Sequence, residues 1–364
     1  MRGAEHFTRV GGSSRGKHGA GVGNRRLGFT LVELLVTISI IALLITILLP
    51  SLKTAREQAR TVVCLSSMKG VAIASNTYAT ADRNEQAIPV HPLTGGPDTG
   101  ADVGSYDWGG KSGIGEPRAG SDIMTSRWGT ANGRGPATRP LNTVIAKTTF
   151  TDFRDDPGVN QANWFSDTRL DLGHYRCPSD RGYTGHHFQS WRHSRLSSYD
   201  FYGTSYAANS IWCAVHQNQC VIKSWGPFLR PMTRIPNPAN TVYYIENCGR
   251  FAWRSNLKKT QNDCWTATDG PHFSQTSELQ PVKGWHGKLW HFVTGFVDGH
   301  VAMVKIDGFL WPPPIIPVDI HGDQILARCH VIRGHGWQFD VLPAPPVLMP
   351  VRCGFQAWPA DSLK

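Results

Sequence analysis

Residues 29–50 have the sequence FTLVELLVTISIIALLITILLP, and this stretch decides the architecture of the first part of the chain. From Leu31 to Leu49 the only charged side chain is that of Glu33. A helix of this length spans about 28 Å, which matches the hydrocarbon core of a bilayer. Helices in the core of soluble proteins seldom contain so long an apolar run. The sequence therefore predicts a transmembrane helix over residues 29–49.

The segment before the apolar run is polar and cationic. Residues 1–28 contain six Lys/Arg and one Glu, so they hold half of the formal net charge of +10. Cationic flanks tend to stay cytoplasmic. The six cationic residues of the leader outnumber the three that follow the helix, Lys53, Arg56 and Arg60. We therefore expect a single-pass protein whose amino terminus is cytoplasmic before processing. The remaining chain has no cationic run with interleaved aromatic residues, so nucleic-acid binding is not expected.

Three kinds of amino-terminal membrane segment are compatible with a long apolar run. A cleaved secretory signal has a shorter run that ends in an Ala-x-Ala-like site, whereas this run ends in Leu-Leu-Pro50. A plain signal anchor explains the run and its cationic flank. It does not explain Glu33, because a carboxylate inside an apolar helix costs up to a few kcal/mol at mid-bilayer. The third kind accounts for both features.

The ten residues Arg25–Leu34 resemble the processing signal of type IV prepilins and type II secretion pseudopilins. In that family a prepilin peptidase/methyltransferase cuts after a glycine and methylates the new amino terminus. The resemblance implies cleavage between Gly28 and Phe29, removal of the leader 1–28, and methylation of Phe29. It also implies an inner-membrane protein with a periplasmic head and an association with filaments.

Two further positions fit the same resemblance. Glu33 is the fifth residue after the cut, where the family has a glutamate, and Pro50 is the twenty-second, where these helices commonly bend at a proline. The resemblance implies that Glu33 pairs with the Phe29 amino group of a neighbouring subunit. Such pairing would remove the cost of a carboxylate in the membrane. Other pilin-like subunits are thus the expected assembly partners, through Glu33, Pro50 and the rest of this helix.

The helix is predicted to continue beyond Pro50 as an amphipathic segment over residues 50–80. Apolar residues recur there at spacings of three and four, with Lys53, Arg56, Glu57 and Arg60 between them. We expect this apolar face to pack on a globular head. Its members are Leu52, Ala55, Ala59, Val62, Val63, Val71 and Ile73.

Residues 81–306 are predicted to form a β-rich head with loop insertions. The segment 82–139 is rich in Gly, Pro, Asp, Ser and Thr and predicts long loops. Residues 240–246 (NTVYYIE) are typical of a strand, and 291–297 and 300–306 flank Asp298-Gly299 as a two-residue hairpin. The fold class is α+β: a long amino-terminal helix packed on an antiparallel sheet with long loops. Residues 307–364 read as a Pro-rich extension.

A second resemblance concerns the head. The segment Cys64-Leu-Ser-Ser-Met-Lys69 is similar to a Cys-Leu-x-Asn-Leu-Lys stretch in a large planctomycete-type group of prepilin-like proteins. That group also has a carboxyl-terminal His-x9-Asp-Gly motif. Asp298-Gly299 matches its end, but the best candidate histidine, His286, has eleven intervening residues. Residues 175–180 (YRCPSD) and 197–199 (SSY) also look like stretches of that group.

The cysteines leave two alternatives open. No Cys-x-x-Cys pair occurs, which disfavours zinc-ribbon and thioredoxin-like sites. Disulfides are compatible with an oxidising compartment, with Cys213–Cys220 or Cys248–Cys264 as short loops, but free buried thiols fit equally well. The cysteines are Cys64, Cys177, Cys213, Cys220, Cys248, Cys264, Cys329 and Cys353.

No cofactor is assigned from the sequence. In a two-residue hairpin His291 and His300 lie at opposite ends of the ribbon, so surface or hydrogen-bonded histidines are expected. A structural calcium ion is conceivable among Asp298, Asp307 and the loop of Asp319 and Asp323, but no spaced ligand set supports it. No nucleophile elbow, Walker loop or dinucleotide fingerprint is present, and no catalytic residue is assigned.

The sequence is compatible with two functions. The first is a pilin-like subunit, inserted and polymerised through its helix in a type II secretion or type IV pilus-like filament. The second is a membrane-tethered extracytoplasmic binding module or enzyme that uses a prepilin-type anchor. The two differ in whether the head has a convergent polar pocket and whether the helix associates with others. We expect the first, a protein that is not an enzyme.

Overall fold

The structure is a computed structural model. It describes residues 29–94, 104–115, 126–146, 149–152, 160–182, 196–210, 213–216, 221–224, 226–250, 283–306, 333–334, 336–339, 341 and 347–350. The leader 1–28, with Gly28, lies outside the described residues, as do Asp307, Asp319 and Asp323, most of the extension 307–364, and Cys220, Cys264, Cys329 and Cys353.

Helix α1 spans Leu31–Ala81 and is 51 residues long. Pro50 lies inside it. Proline has no N–H to donate to the carbonyl one turn earlier, yet the helix continues through this position. The chain divides into two compact units, Met1–Lys53 and Thr54–Lys364. The first part of α1 thus belongs to the first unit, and the rest of the helix belongs to the second.

The second unit contains an antiparallel sheet of four strands. In chain order these are β1 (Tyr206–Ala208), β4 (Val242–Glu246), β5 (His291–Phe296) and β6 (Val301–Lys305), and they are also neighbours in that order. Every residue of β1 and β4 is buried. The α+β fold class is confirmed: a long helix and an antiparallel sheet joined by long loops.

Smaller elements complete the described chain. A three-stranded sheet joins β2 (Cys213–His216), β3 (Val221–Ser224) and β9 (Val347–Pro350), and β7 (Arg333–Gly334) pairs with β8 (Trp337–Gln338). Part of the carboxyl-terminal extension therefore pairs with the head. The short helices are α2 (Asn142–Ile145), α3 (Asn160–Thr168) and α4 (Ser198–Tyr202).

The predicted hairpin of β5 and β6 is present, but its turn has three residues rather than two. The Phe296 amide donates to the His300 carbonyl, and the Gly299 amide donates to the Phe296 carbonyl, each at 2.9 Å. Gly299 has a φ of +90°, the left-handed conformation that this turn type requires. The predicted two-residue turn would pair His291 with Ile306. In the structure His291 pairs with Lys305, so the predicted register is wrong by one residue.

The prediction that the helix continues beyond Pro50 agrees with the structure, but the predicted buried face is wrong. Val62, Val63 and Ile73 are more than half exposed, and only Val71 of the predicted face is fully buried. The residues that are buried recur at helical spacing and are mostly small, which allows the helix backbone to lie close to the sheet. They are Cys64, Ser67, Met68, Val71, Ala72, Ala74, Ser75 and Ala79.

Loop residues between 104 and 146 form part of the core. Tyr106 and Trp108 are fully buried, and the Tyr106 ring stacks on that of Tyr202 with centroids 3.7 Å apart. Arg139 is also fully buried, and its guanidinium donates to the carbonyls of five residues at 2.7–3.0 Å. Burial lowers the pKa of Arg139 to about 10, so the side chain remains charged at neutral pH. A buried cation thus holds the loops together.

Candidate functional site

The first candidate site is the start of α1. The Thr30 hydroxyl and backbone amide both donate to Glu33 Oε2 at 2.8 Å, and the Glu33 amide donates back to Thr30 Oγ1 at 3.3 Å. This reciprocal pattern is a capping box, with Thr30 as the N-cap and Glu33 three residues into the helix. The Glu33 carboxylate therefore satisfies the backbone N–H and the hydroxyl of Thr30 in its own chain, a role that the resemblance to pilins does not suggest.

The surface of the first helical segment is apolar and uncovered. Phe29 is 72% exposed, and the large apolar side chains from Leu31 to Leu49 are all about half exposed or more. Among the described helices, α1 has the length and apolar composition needed to cross a membrane. So much exposed apolar surface is unfavourable in water and favourable in lipid or against other apolar helices.

The second candidate site is a buried cluster in the second unit. Cys64 comes from α1, Cys177 from the loop after residues 173–175, Glu246 from the end of β4 and His286 from the turn before β5. One ligand atom from each residue lies within 4.8 Å of all the others, and all four residues are buried. We refer to these four residues as the four-donor cluster.

The contacts inside the cluster are short. Glu246 Oε1 lies 2.9 Å from His286 Nε2, 3.2 Å from Cys64 Sγ and 3.7 Å from Cys177 Sγ. Cys177 Sγ lies 3.5 Å from His286 Nε2. The four donors thus lie close together, and Oε1 of Glu246, a residue fully buried at the end of a central strand, contacts each of the other three.

A second set of groups orients the cluster. His286 Nδ1 lies 3.0 Å from Glu57 Oε1, which also accepts a hydrogen bond from Ser179 Oγ at 2.5 Å. Glu246 Oε2 accepts a hydrogen bond from the Val293 amide at 3.1 Å. The Tyr206 hydroxyl lies 3.3 Å from Cys64 Sγ. Both sides of the imidazole ring and both oxygens of the central carboxylate are therefore held in place.

The pKa values of the cluster reflect burial and mutual contact. Burial raises the pKa of the Cys64 thiol well above its ordinary value, and Cys177 and Glu246 act in the same direction. Burial lowers the pKa of His286, but contacts with Cys177 and Glu246 outweigh it and raise that pKa to about 10. In the protein alone these directions favour a protonated Cys64 thiol and a protonated His286 ring.

His286, Asp298 and Gly299, the residues of the predicted motif, lie in two different parts of the structure. His286 belongs to the cluster. Asp298 accepts hydrogen bonds from the His300 amide and ring, at 3.0 and 2.6 Å, and forms the β5–β6 turn with Gly299. His291 is hydrogen-bonded to the Leu289 carbonyl, so the expectation of hydrogen-bonded histidines agrees with the structure at His291 and His300.

The cluster could not be found from the sequence, because its members are far apart along the chain. Cys64 and Cys177 stand out there only within stretches similar to other prepilin-like proteins, and Glu246 only as the last residue of a strand. Cys64, Cys177 and Cys248 are free thiols in the described chain. For Cys248 the structure therefore agrees with a free buried thiol and not with a disulfide. The sequence offered one indication of the cluster: Cys64, Cys177 and His286 all fall inside the stretches that resemble one group of prepilin-like proteins.

The comparisons with known proteins bear on the amino-terminal site. Residues 23–49 match the family described as the prokaryotic N-terminal methylation motif. Comparison of the chain with curated proteins and with solved structures gives no significant match. The predicted prepilin-type motif is thus confirmed over these residues, which end inside helix α1. The similarity of the head to a planctomycete-type group stays a prediction.

Proposed function

We propose that the chain is a pilin-like subunit that assembles through α1 into a type II secretion or type IV pilus-like filament. A prepilin peptidase cuts between Gly28 and Phe29, and methylation of Phe29 follows. The observation that carries this proposal is the match of residues 23–49 to the methylation motif. These residues include the first part of α1, whose apolar side chains are exposed. The subunit resides in the inner membrane with its head in the periplasm until assembly.

Assembly requires a role for Glu33 beyond its own helix. Both hydrogen bonds from Thr30 end on Oε2, and a carboxylate has further lone pairs available on its other oxygen. That oxygen can accept a hydrogen bond from the Phe29 amino group of a neighbouring subunit. Because such a pair is charge-assisted and surrounded by apolar side chains, it favours one axial register of the packed helices over others.

A structural role fits the head better than a catalytic one. The four-donor cluster is the most concentrated group of chemically active side chains in the described chain, and all four of its residues are buried. A catalytic centre needs a position open to substrate or water. The cluster donors contact one another and the neighbouring Glu57, Val293 and Tyr206, and none of the four residues is exposed. This burial supports a structural role for the head.

Processing is tested by mass spectrometry of the amino terminus in cells that contain a prepilin peptidase. We expect the mature chain to begin at Phe29 and to carry one added methyl group. Gly28→Leu should leave the leader attached, because a side chain there blocks close approach of the peptidase to the backbone. Gly16→Leu, outside the matched residues, is the control and should be cut normally. A mature chain that retains the leader, or that begins beyond Leu49, would refute the proposal.

Assembly is tested by comparing Glu33→Ala with Thr30→Val. Both variants weaken the capping box, which is worth about 0.5–2 kcal/mol, but only Glu33→Ala removes the carboxylate that pairs with a neighbour. We expect both variants to be processed, and only Glu33→Ala to be lost from crosslinked filament fractions. Equal loss of both variants would show that Glu33 acts through its own helix terminus and not through a neighbouring subunit.

A further inference from the structure

We propose that Cys64, Cys177, Glu246 and His286 bind one zinc ion that fixes helix α1 to the four-stranded sheet. The inference concerns the head alone and does not depend on filament assembly. It rests on the position of four donors, on their chemistry and on the groups that surround them.

Three of the four distances given above between donor atoms are close to those of a tetrahedral site. With Zn–S bonds of about 2.3 Å and Zn–N or Zn–O bonds of about 2.0–2.1 Å, neighbouring donors lie about 3.3–3.8 Å apart. The sulfur–nitrogen and sulfur–oxygen distances in the cluster are 3.2, 3.5 and 3.7 Å. The distance of 2.9 Å between His286 Nε2 and Glu246 Oε1 has to open by about 0.4 Å to reach the tetrahedral value.

The chemistry of the donors fits zinc and does not fit the oxygen-binding cations calcium and magnesium. Two sulfurs, one imidazole nitrogen and one carboxylate oxygen form a mixed set of the kind that zinc accepts. Calcium and magnesium prefer oxygen donors alone, so the cluster does not suit them. All four positions of the tetrahedron come from the protein and all are buried, which is the arrangement of a structural rather than a catalytic zinc site.

The surrounding groups are those that hold metal ligands in place. A ligating histidine usually donates its other ring N–H to a carboxylate, and here His286 Nδ1 faces Glu57 at 3.0 Å, which leaves Nε2 to face the metal. The Val293 amide holds the second oxygen of Glu246, and the Tyr206 hydroxyl is placed to donate to a Cys64 thiolate. Glu57 and Cys64 both belong to α1, so the helix supplies one ligand directly and orients another.

The consequence is a crosslink between distant parts of the chain. Cys64 lies on the helix, Glu246 on a central strand, and Cys177 and His286 on two separate loops. Metal-bound thiols are deprotonated, so a bound divalent cation would hold Cys64 and Cys177 as thiolates. Metal binding and folding of the head are then coupled, and removal of the metal destabilises the folded state.

Two other states of the cluster make different predictions. One is a disulfide between Cys64 and Cys177, and the other is a pair of thiols beside a His286–Glu246 ion pair. The full chain, purified in detergent micelles without chelators, distinguishes them by metal analysis and X-ray absorption. We expect one zinc ion per chain, bound by two sulfur atoms at about 2.3 Å and two lighter atoms at about 2.0–2.1 Å.

Variants assign the zinc to this site. Cys64→Ser and His286→Gln should each lose the bound zinc, whereas Cys248→Ser, which removes a buried free thiol outside the cluster, should keep it. Glu57→Gln should lower the zinc affinity about 10–100-fold, the usual effect of losing a carboxylate behind a histidine ligand. Glu85→Gln, which changes an exposed carboxylate outside the cluster, is its control and should leave the affinity unchanged.

If the ligand variants fail to fold, the native chain still decides the question. Addition of Co²⁺ to the metal-depleted full chain should produce the absorption of a tetrahedral, thiolate-ligated ion, and Zn²⁺ should displace it. The proposal is overturned if the folded chain binds neither ion, if peptide mapping finds a Cys64–Cys177 disulfide, or if zinc remains stoichiometric in both folded Cys64→Ser and His286→Gln.

Discussion

Replacement of Arg139 by methionine tests whether one buried cation organises the loops of the head. The guanidinium donates five hydrogen bonds, to the carbonyls of residues 106, 109, 128, 134 and 202. Methionine has a similar length and no donor. At about 1.5 kcal/mol for each bond, the low end for a charged donor, the gross loss is about 7–8 kcal/mol.

Part of that loss is offset. Removing the charge also removes the cost of burying it, which is several kcal/mol for an ion. The Trp128 carbonyl keeps a second donor in the Gly113 amide. We therefore expect Arg139→Met to lower the free energy of unfolding by about 3–5 kcal/mol, a large share of the 5–15 kcal/mol that is typical of a domain.

The assay is denaturant unfolding of the full chain in detergent, followed by tryptophan fluorescence. Arg139→Lys should fall between the wild type and Arg139→Met, because an ammonium group has three donors in place of five. Arg176→Met is the control: its side chain is exposed and pairs with Asp171 at 3.5 Å, so it should cost less than about 1 kcal/mol. An Arg139→Met protein within about 1 kcal/mol of the wild type would refute the role of this residue as a loop organiser.

Two further effects follow from local geometry. Gly299→Ala should lower the free energy of unfolding by about 1–2 kcal/mol, because φ is +90° there. Gly173→Ala is the control and should cost less, because an added Cβ meets nothing within 4 Å. Equal costs would show that the backbone conformation at Gly299 does not strain an alanine. Burial of Asp200 raises its pKa, but Lys111 at 2.6 Å outweighs this and keeps that pKa below its usual value. The ion pair therefore stabilises the fold above the unfolded-state pKa and loses its contribution as the pH falls through the folded-state value. Asp200→Asn should accordingly flatten the acid limb of a pH–stability profile, and an unchanged limb would show that the pair contributes nothing.

Elements with a local signal could be predicted from the sequence. The apolar run from Leu31 to Leu49 specifies a helix through its length and composition, and α1 follows it. The β4 strand follows from its β-branched and aromatic residues, and the β5–β6 hairpin from Asp298-Gly299. The turn register could not be predicted, because Asp-Gly is compatible with loops of two and of three residues and the side-chain pattern of the strands does not decide between them.

Contacts between distant residues lay beyond what the sequence could predict. Nothing in the spacing of Cys64, Cys177, Glu246 and His286 indicates that they meet, because each comes from a different element. The composition of the Gly-rich segment before Arg139 predicts only long loops. In the structure backbone carbonyls of these loops surround a buried cation. Composition cannot reveal this arrangement, because every residue has the same backbone acceptor.

The contact between α1 and the sheet explains why a metal crosslink is useful at Cys64. Of the buried side chains on this helix only Met68 and Val71 are large and apolar, so burial there supplies about 3–6 kcal/mol before the entropy of ordering is subtracted. Polar contacts must add to it, and one is the hydrogen bond between Ser75 and the Tyr244 hydroxyl at 2.7 Å. Cys64 lies about three turns earlier on the helix and is a further point of polar attachment, in addition to Glu57, Ser67 and Asn76. A zinc ion at Cys64 would add a crosslink between this part of the helix, a central strand and two loops.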